Sequence, residues 1–259
     1  MTKQTIIMIH GFRGTHDGLD LIAQHLDDFA VIVPDLPGFA DGDTLQKYDL
    51  DSYVTWLKQF IEKQNLVKPP IVLGHSFGTI VSAAYAAEHK DTIKKLILVN
   101  PIGAPALEGP RGILTKLAVF YYFLGTILPA KLAHAWLAST VVVDIMSTTM
   151  TKTKDTQLRK YIHDQHRHYF SLFHSAKSVS EAFRTSVENS VRDVAAAITT
   201  PTLLIAGALD DITTLEKQKR LVQLFPDATL QIIEQVGHLT HYETPDQVAS
   251  FVCAFIKLP

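Results

Sequence analysis

Apolar residues recur along this chain in two rhythms. Short runs at Thr5 to Ile9, Val31-Ile32-Val33, Ile71-Val72-Leu73, Leu96-Ile97-Leu98-Val99, Thr202-Leu203-Leu204-Ile205-Ala206 and Thr229 to Ile233 read as strands. The unbroken ones have the two-sided hydrophobicity of strands buried inside a parallel sheet. Between them the spacing turns helical. His16 to Leu26 is one such segment, and Leu50 to about Gln64 is another, with Val54, Leu57, Phe60 and Ile61 on one face. Val81 to Ala87 is a helix of small residues able to pack closely on a sheet, Thr214 to Leu224 follows the fifth strand, and Pro245 to Ile256 carries a proline suited to a first turn. About a hundred residues separate the fourth and fifth strands, and they are patterned as helices at Leu114 to Leu124, Ala130 to Met146, Asp155 to Phe173 and Val179 to Asn189.

Strands alternating with helices on both sides of a helical insertion imply an α/β fold: a mostly parallel, doubly wound sheet of about six strands with an α-helical cap. The expected division is a core of residues 1–101 and 196–259 and a cap of residues 102–195. Within the cap, Leu117 to Ala130 is the longest uncharged apolar stretch, shorter than the roughly 18 residues of a membrane span. It is expected to form the floor or lip of an apolar pocket. The aromatic run Phe120-Tyr121-Tyr122-Phe123 is expected in the cap's own core. A cap that touches a membrane would serve a lipid substrate.

Composition narrows the partners. The chain has 259 residues, 47% of them hydrophobic, a formal charge of −2 and a pI near 6.6, so it lacks the basic excess of a nucleic-acid binder. A small molecule is the expected partner, and nothing in the pattern sets an oligomeric state. Met1-Thr2-Lys3-Gln4 runs straight into the first strand without the features of a signal peptide. Cys253 is the only cysteine, which excludes an intrachain disulfide and points to the cytoplasm. It lies in an amphipathic segment and reads as a small buried apolar group.

The chemistry begins at Gly74-His75-Ser76-Phe77-Gly78, a G-x-S-x-G between a strand and a helix. A nucleophile elbow requires that context, because so tight a turn needs small flanking residues to expose the serine hydroxyl. Acyl transfer by serine further needs a base, an acid to orient it and donors for an oxyanion. Asp210 follows the fifth strand and His238 the sixth, so both stand with Ser76 at the carboxyl ends of parallel strands, where open sheets bind ligands. Asp211 is a rival acid and His241 a rival base. Asn100 also ends a strand, but its amide cannot compensate an imidazolium. His163, His166, His168 and His174 form a second cluster; only some share a helical face, and no acid or cysteine recurs at ligand spacing, so no metal is expected.

At these residues the chain resembles the α/β-hydrolase superfamily, in its branch with a serine nucleophile and a helical cap. His10-Gly11-Phe12-Arg13-Gly14 resembles the oxyanion loop, Pro34-Asp35-Leu36-Pro37-Gly38-Phe39 the loop after the next strand, Gly207 to Asp210 the acid turn and Gly237 to Pro245 the histidine loop. The family's leading antiparallel pair of strands has no counterpart here, hence the six. The resemblance implies Ser76 as nucleophile, His238 as base and then acid, and Asp210 as its orienter, with the backbone N–H groups of Phe12 and Phe77 holding the oxyanion. The family's glycine-to-acid spacing selects Asp210 over Asp211, and Gly237 marks the tight turn at His238, leaving His241 a structural or pocket-lining part.

A serine at the elbow excludes the dehalogenase and epoxide hydrolase chemistries, which use an aspartate there. The expected activity is hydrolysis of a small, largely apolar carboxylic ester through an acyl-enzyme, with no cofactor. The same triad also serves hydrolysis of a carbon–carbon bond in a vinylogous diketone, and a small-molecule receptor could keep it in vestigial form.

Overall fold

The computed structural model describes residues 3–104 and 112–258. Six strands, β1 (Thr5–Ile9), β2 (Ala30–Ile32), β3 (Ile71–His75), β4 (Lys95–Val99), β5 (Thr202–Gly207) and β6 (Ala228–Ile233), form one open sheet in the order β2-β1-β3-β4-β5-β6. Every pairing is parallel. The four central strands are buried along their whole length, which is why they read as unbroken apolar runs, whereas edge strands β2 and β6 keep partly exposed positions.

Side chains of period two sort onto the two faces. Ile7, Ile9, Val72, Leu96, Leu98 and Leu204 pack on one side with α2 (Leu50–Lys63), α3 (Phe77–Glu88) and α9 (Leu215–Val222). Ile6, Met8, Leu73, Ile97, Val99 and Ile205 pack on the other with α1 (Asp20–Ala23) and α11 (Pro245–Lys257). Local signals set the ends of several helices. Asp49 caps α2 by accepting from the Ser52 N–H at 3.0 Å, and Pro245 occupies the first turn of α11, behind the short α10 (Thr240–Glu243).

Between β4 and β5 lie α4 (Gly112–Ile127), α5 (Ala130–Leu137), α6 (Thr140–Met150), α7 (Thr156–Tyr169) and α8 (Ala176–Glu188). Residues 105–111, part of the expected cap, lie outside the described residues. The insertion is tied to the loop after β2: Phe39 bridges Phe173, and the Ala40 N–H donates to Leu172 O at 2.7 Å. No helix among the described residues is long and apolar enough to cross a membrane.

Three local expectations are corrected. The helix expected over His16 to Leu26 is a 3-10 turn (His16–Leu19) followed by the single-turn α1. The helix expected over Ala130 to Met146 is two, α5 and α6, because Ser139 takes a non-helical ψ of 117° and restarts the chain before Thr140-Val141-Val142. Leu117 to Ala130 does edge an apolar pocket, as expected, but one away from Ser76: Val119, Tyr122, Phe123 and Thr126 line a cavity with Phe183 and Val187, where α4 packs on α8. Of the aromatic run, Tyr122 is buried and stacks on Phe183 with centroids 4.0 Å apart, while Phe120 and Phe123 face outward.

Candidate active site

β3 ends at His75 and α3 begins at Phe77, so Ser76 alone turns the chain. It does so at φ 51° and ψ −116°, a region costing a non-glycine residue about 1–3 kcal/mol. The surroundings hold it there: Ser76 N–H donates to Val99 O at 3.0 Å, and its carbonyl accepts from Thr79 N–H at 2.9 Å. The flanking glycines are required by close approach. A Cβ on Gly74 would stand 2.4 Å from Gly78 O, and one on Gly78 would stand 2.2 Å from Ile9 O.

His238, in the loop after β6, places Nε2 2.8 Å from Ser76 Oγ and Nδ1 2.7 Å from Asp210 Oδ2. A carboxylate only accepts, so Nδ1 carries the proton and Nε2 is left to accept from the serine hydroxyl. Asp210 also receives Asn100 Nδ2 (2.9 Å), the N–H groups of Ile212 (2.8 Å) and Thr213 (2.9 Å) and the Thr213 hydroxyl (2.7 Å). Burial pushes this carboxyl up, but His238 and the Thr213 donors outweigh it and hold Asp210 well below the ordinary carboxylate range. Asp211 turns away, pairing with Lys152 of the insertion at 2.5 Å.

Asn100 carries more than the sequence reading allowed. At the end of β4, with φ 49°, it donates to Asp210 and accepts from the Thr240 hydroxyl, joining the acid loop to the histidine loop. An asparagine at a strand end, tolerant of positive φ, was the available signal; Thr213 and Thr240 offered none.

The residues of the loop after β1 pack against the insertion. Among the described residues neither the Phe12 nor the Phe77 N–H meets an intramolecular acceptor, and the latter is an orphan donor at the start of α3. The Phe12 ring packs on Phe39, Tyr122 and Phe183. Arg13, at φ 58° and 1% exposed, donates to Phe170 O (2.7 Å), Leu137 O (2.8 Å) and Tyr122 Oη (3.2 Å) and lies against the rings of Phe170 and Phe173. No carboxylate pairs with it among the described residues. The carbonyls it binds end α5 and α7, so the negative ends of two helix dipoles face the buried cation.

A cavity of about 150 Å³ opens beside Ser76, bounded by Leu19, Met146, Met150, Phe170 and Leu239 and by several histidines. Burial holds His75 down at about 3, His166 at about 4 and His241 well below its usual value, with neighbouring imidazoles adding to each effect, so all three are neutral at pH 7. His241 packs against His75 with ring centroids 4.0 Å apart and planes inclined by 50°, and it stands in this cavity, its Nδ1 unpartnered among the described residues. His163 and His166 share the Ser147 hydroxyl at 2.6 and 2.7 Å, while His174 bonds Ala40 O, so the second histidine cluster is dispersed.

The profile of the alpha/beta hydrolase fold family matches residues 4–245. Lipase 1 of Psychrobacter immobilis is 26% identical over 97% of this chain and 76% of that protein, and lipase 3 of Moraxella sp. TA144 is 25% identical over 98% and 78%. Among solved structures, an enol-lactonase from Burkholderia xenovorans LB400 superposes with a TM-score of 0.82 at 15% identity, covering 100% of this chain and 93% of that one. A thermophilic esterase from Thermogutta terrifontis does so at 0.79 and 20% identity, covering 99% and 90%. At such identities the structural likeness speaks for the fold alone.

Proposed function

The chain belongs to the α/β-hydrolase family, and from that premise we propose that it is a serine hydrolase of small, largely apolar carboxylic esters. The observation that carries this reading is the unbroken hydrogen-bonded chain from Ser76 Oγ through His238 to Asp210. Ser76 Oγ attacks the ester carbonyl as its proton passes to His238 Nε2. The negative charge formed on the carbonyl oxygen is held by the Phe12 and Phe77 N–H groups, each such donor being worth about 2.7–4 kcal/mol of barrier. Collapse expels the alcohol, which takes the proton from the imidazolium, and leaves an acyl-serine. Water, deprotonated by the same imidazole, then releases the acid. Asp210 keeps its charge throughout, fixes the tautomer and stabilises the imidazolium.

The two relatives named lipases support ester chemistry. A cavity of about 150 Å³, the size that holds a benzene-like guest, suits a short acyl group. Helices α4–α8 act as the cap, with α6 and α7 walling the cavity, and the steps balance with water alone, without metal or cofactor. The lone Cys253 fits a reducing compartment, so the cytoplasm is the proposed location.

A fluorophosphonate should label Ser76, located by mass spectrometry of the digested protein. Ser76→Ala should lose the label and about 10⁶-fold in turnover of 4-nitrophenyl butyrate. Label on another residue, or turnover that survives the substitution, would overturn the reading.

A further inference from the structure

The chemistry proposed for Ser76 makes no use of the outer surface of α4 to α6. A helix that is hydrophobic all round, as α4 is, normally packs all round. One side does pack: Tyr122 stacks on Phe183, and Tyr121 closes on Trp136, whose indole N–H donates to Tyr121 O at 3.0 Å. Leu117, Phe120, Phe123 and Ile127, at spacings of three, three and four, form a stripe that does not, and each is more than half exposed. Across the Tyr121–Trp136 clasp, α5 turns Leu132 and Trp136 outward. Helix α6 does the same with Val141 and Ile145, again a pair four residues apart. Exposed apolar residues scattered singly are ordinary, but such a concentration marks an interaction surface.

Charge says what covers it. Between Glu108 and Asp144 the sequence has no Asp or Glu, while Lys116 precedes the stripe and Lys131 follows it. Lysines flanking an apolar stripe, here Lys116 on α4 and Lys131 on α5, can lay their stems along apolar surface and keep their ammonium groups at the height of lipid phosphates. Trp136 and Tyr121 are the residue types enriched at that same boundary. A two-fold pairing of the stripe with a second copy would instead set these lysines against like charges with no carboxylate on the stripe to meet them.

We propose that the outer face of α4 to α6 docks on an anionic lipid bilayer, with Leu117, Phe120, Phe123 and Ile127 in the headgroup–acyl boundary and Lys116 and Lys131 against phosphates. The assignment is independent of the role given to Ser76. Helix α6 links the two places, since Val141 and Ile145 lie on the docking face while Met146 and Met150 bound the cavity beside Ser76.

The test is flotation of the whole chain with vesicles of phosphatidylglycerol and phosphatidylethanolamine, and with vesicles of phosphatidylcholine alone, at low and high salt. The chain should float with the anionic vesicles, and less so in high salt. Emission from Trp136 should shift to the blue and the shift should vanish in Trp136→Phe, since Trp56 is buried and bonded to Asp43. Phe120→Ser with Phe123→Ser should weaken binding at least about tenfold, with circular dichroism and 4-nitrophenyl acetate turnover unchanged. Lys116→Glu and Lys131→Glu should each cost about fivefold on the anionic vesicles alone. Ser76→Ala should float like the parent chain, which separates this proposal from the reading of the site. Failure to float with anionic vesicles, binding indifferent to the phenylalanine pair, or a dimer in size exclusion that the same pair abolishes would each overturn it.

Discussion

Asp210 accepts five hydrogen bonds in a space closed to water, while Phe120 and Ile127 on the insertion meet solvent with their apolar surface. The strand ends converge many short contacts onto a few polar atoms, so one altered atom strands several partners. The outer insertion presents side chains that touch little, so one altered residue disturbs little of the fold. The difference predicts a steep gradient of sensitivity from the strand ends to the outer helices.

The largest effect expected along that gradient is on the acid. Asp210→Asn should lower the catalytic constant by about 10⁴-fold with the fold intact, because an amide leaves the imidazole in the wrong tautomer. Asp211→Asn, facing Lys152 instead, should change it less than about tenfold in the same 4-nitrophenyl butyrate assay. If Asp211→Asn were the crippled variant, the converging network would not be what orients His238.

Next comes packing beneath the site. Gly78→Ala forces a methyl onto Ile9 O, and urea unfolding should show a loss of about 3 kcal/mol. An unchanged midpoint would mean that β1 and α3 can part at small cost.

Acid should act on the strand ends through their histidines. His10, His75, His166 and His241 are all lowered, first by burial, to about 3 for His75 and about 4 for His166. In the unfolded chain they titrate near 6.5, so as pH falls below about 6.5 the unfolded state takes up protons that the folded state refuses. Stability should be full above that pH and fall between about 6.5 and 4, at about 1.4 kcal/mol per pH unit for each histidine held neutral. Asp210, shifted down, contributes only as pH drops below the ordinary carboxylate range, outside this window. Urea titrations from pH 7.5 to 5 measure the slope, and a flat profile would contradict the burial of these rings.

The smallest effect should come from the outer helices. Phe120→Ser should alter the unfolding free energy by no more than about 0.5 kcal/mol. A loss of several kcal/mol would place Phe120 in a packed interior and erase the contrast.

How much of this was legible in the sequence follows the same divide. Central strands such as Thr5–Ile9 are buried on both faces, so their apolar runs need no tertiary knowledge to be read. Ser76, Asp210 and His238 follow strands in loops with recognisable glycines, and they stand within hydrogen-bond distance of one another. The break at Ser139 and the outward turn of Phe120 depend on which helix packs against which, and local spacing does not encode that. Asn100 was set aside because an amide carries no charge; its part is to hold the acid, and only the distance to Asp210 shows it.

Arg13 has a consequence for how such a protein could be rebuilt. One end of this residue belongs to the backbone beside Phe12, and the other grips the carbonyls of Leu137 and Phe170 in the insertion. Exchanging α4–α8 for another set of helices would leave a charged guanidinium without its acceptors, next to the amide proposed to steady the oxyanion. The insertion is therefore not an interchangeable module: a graft that supplies a new cavity must also supply two helix ends aimed at residue 13, or replace that residue in the same step.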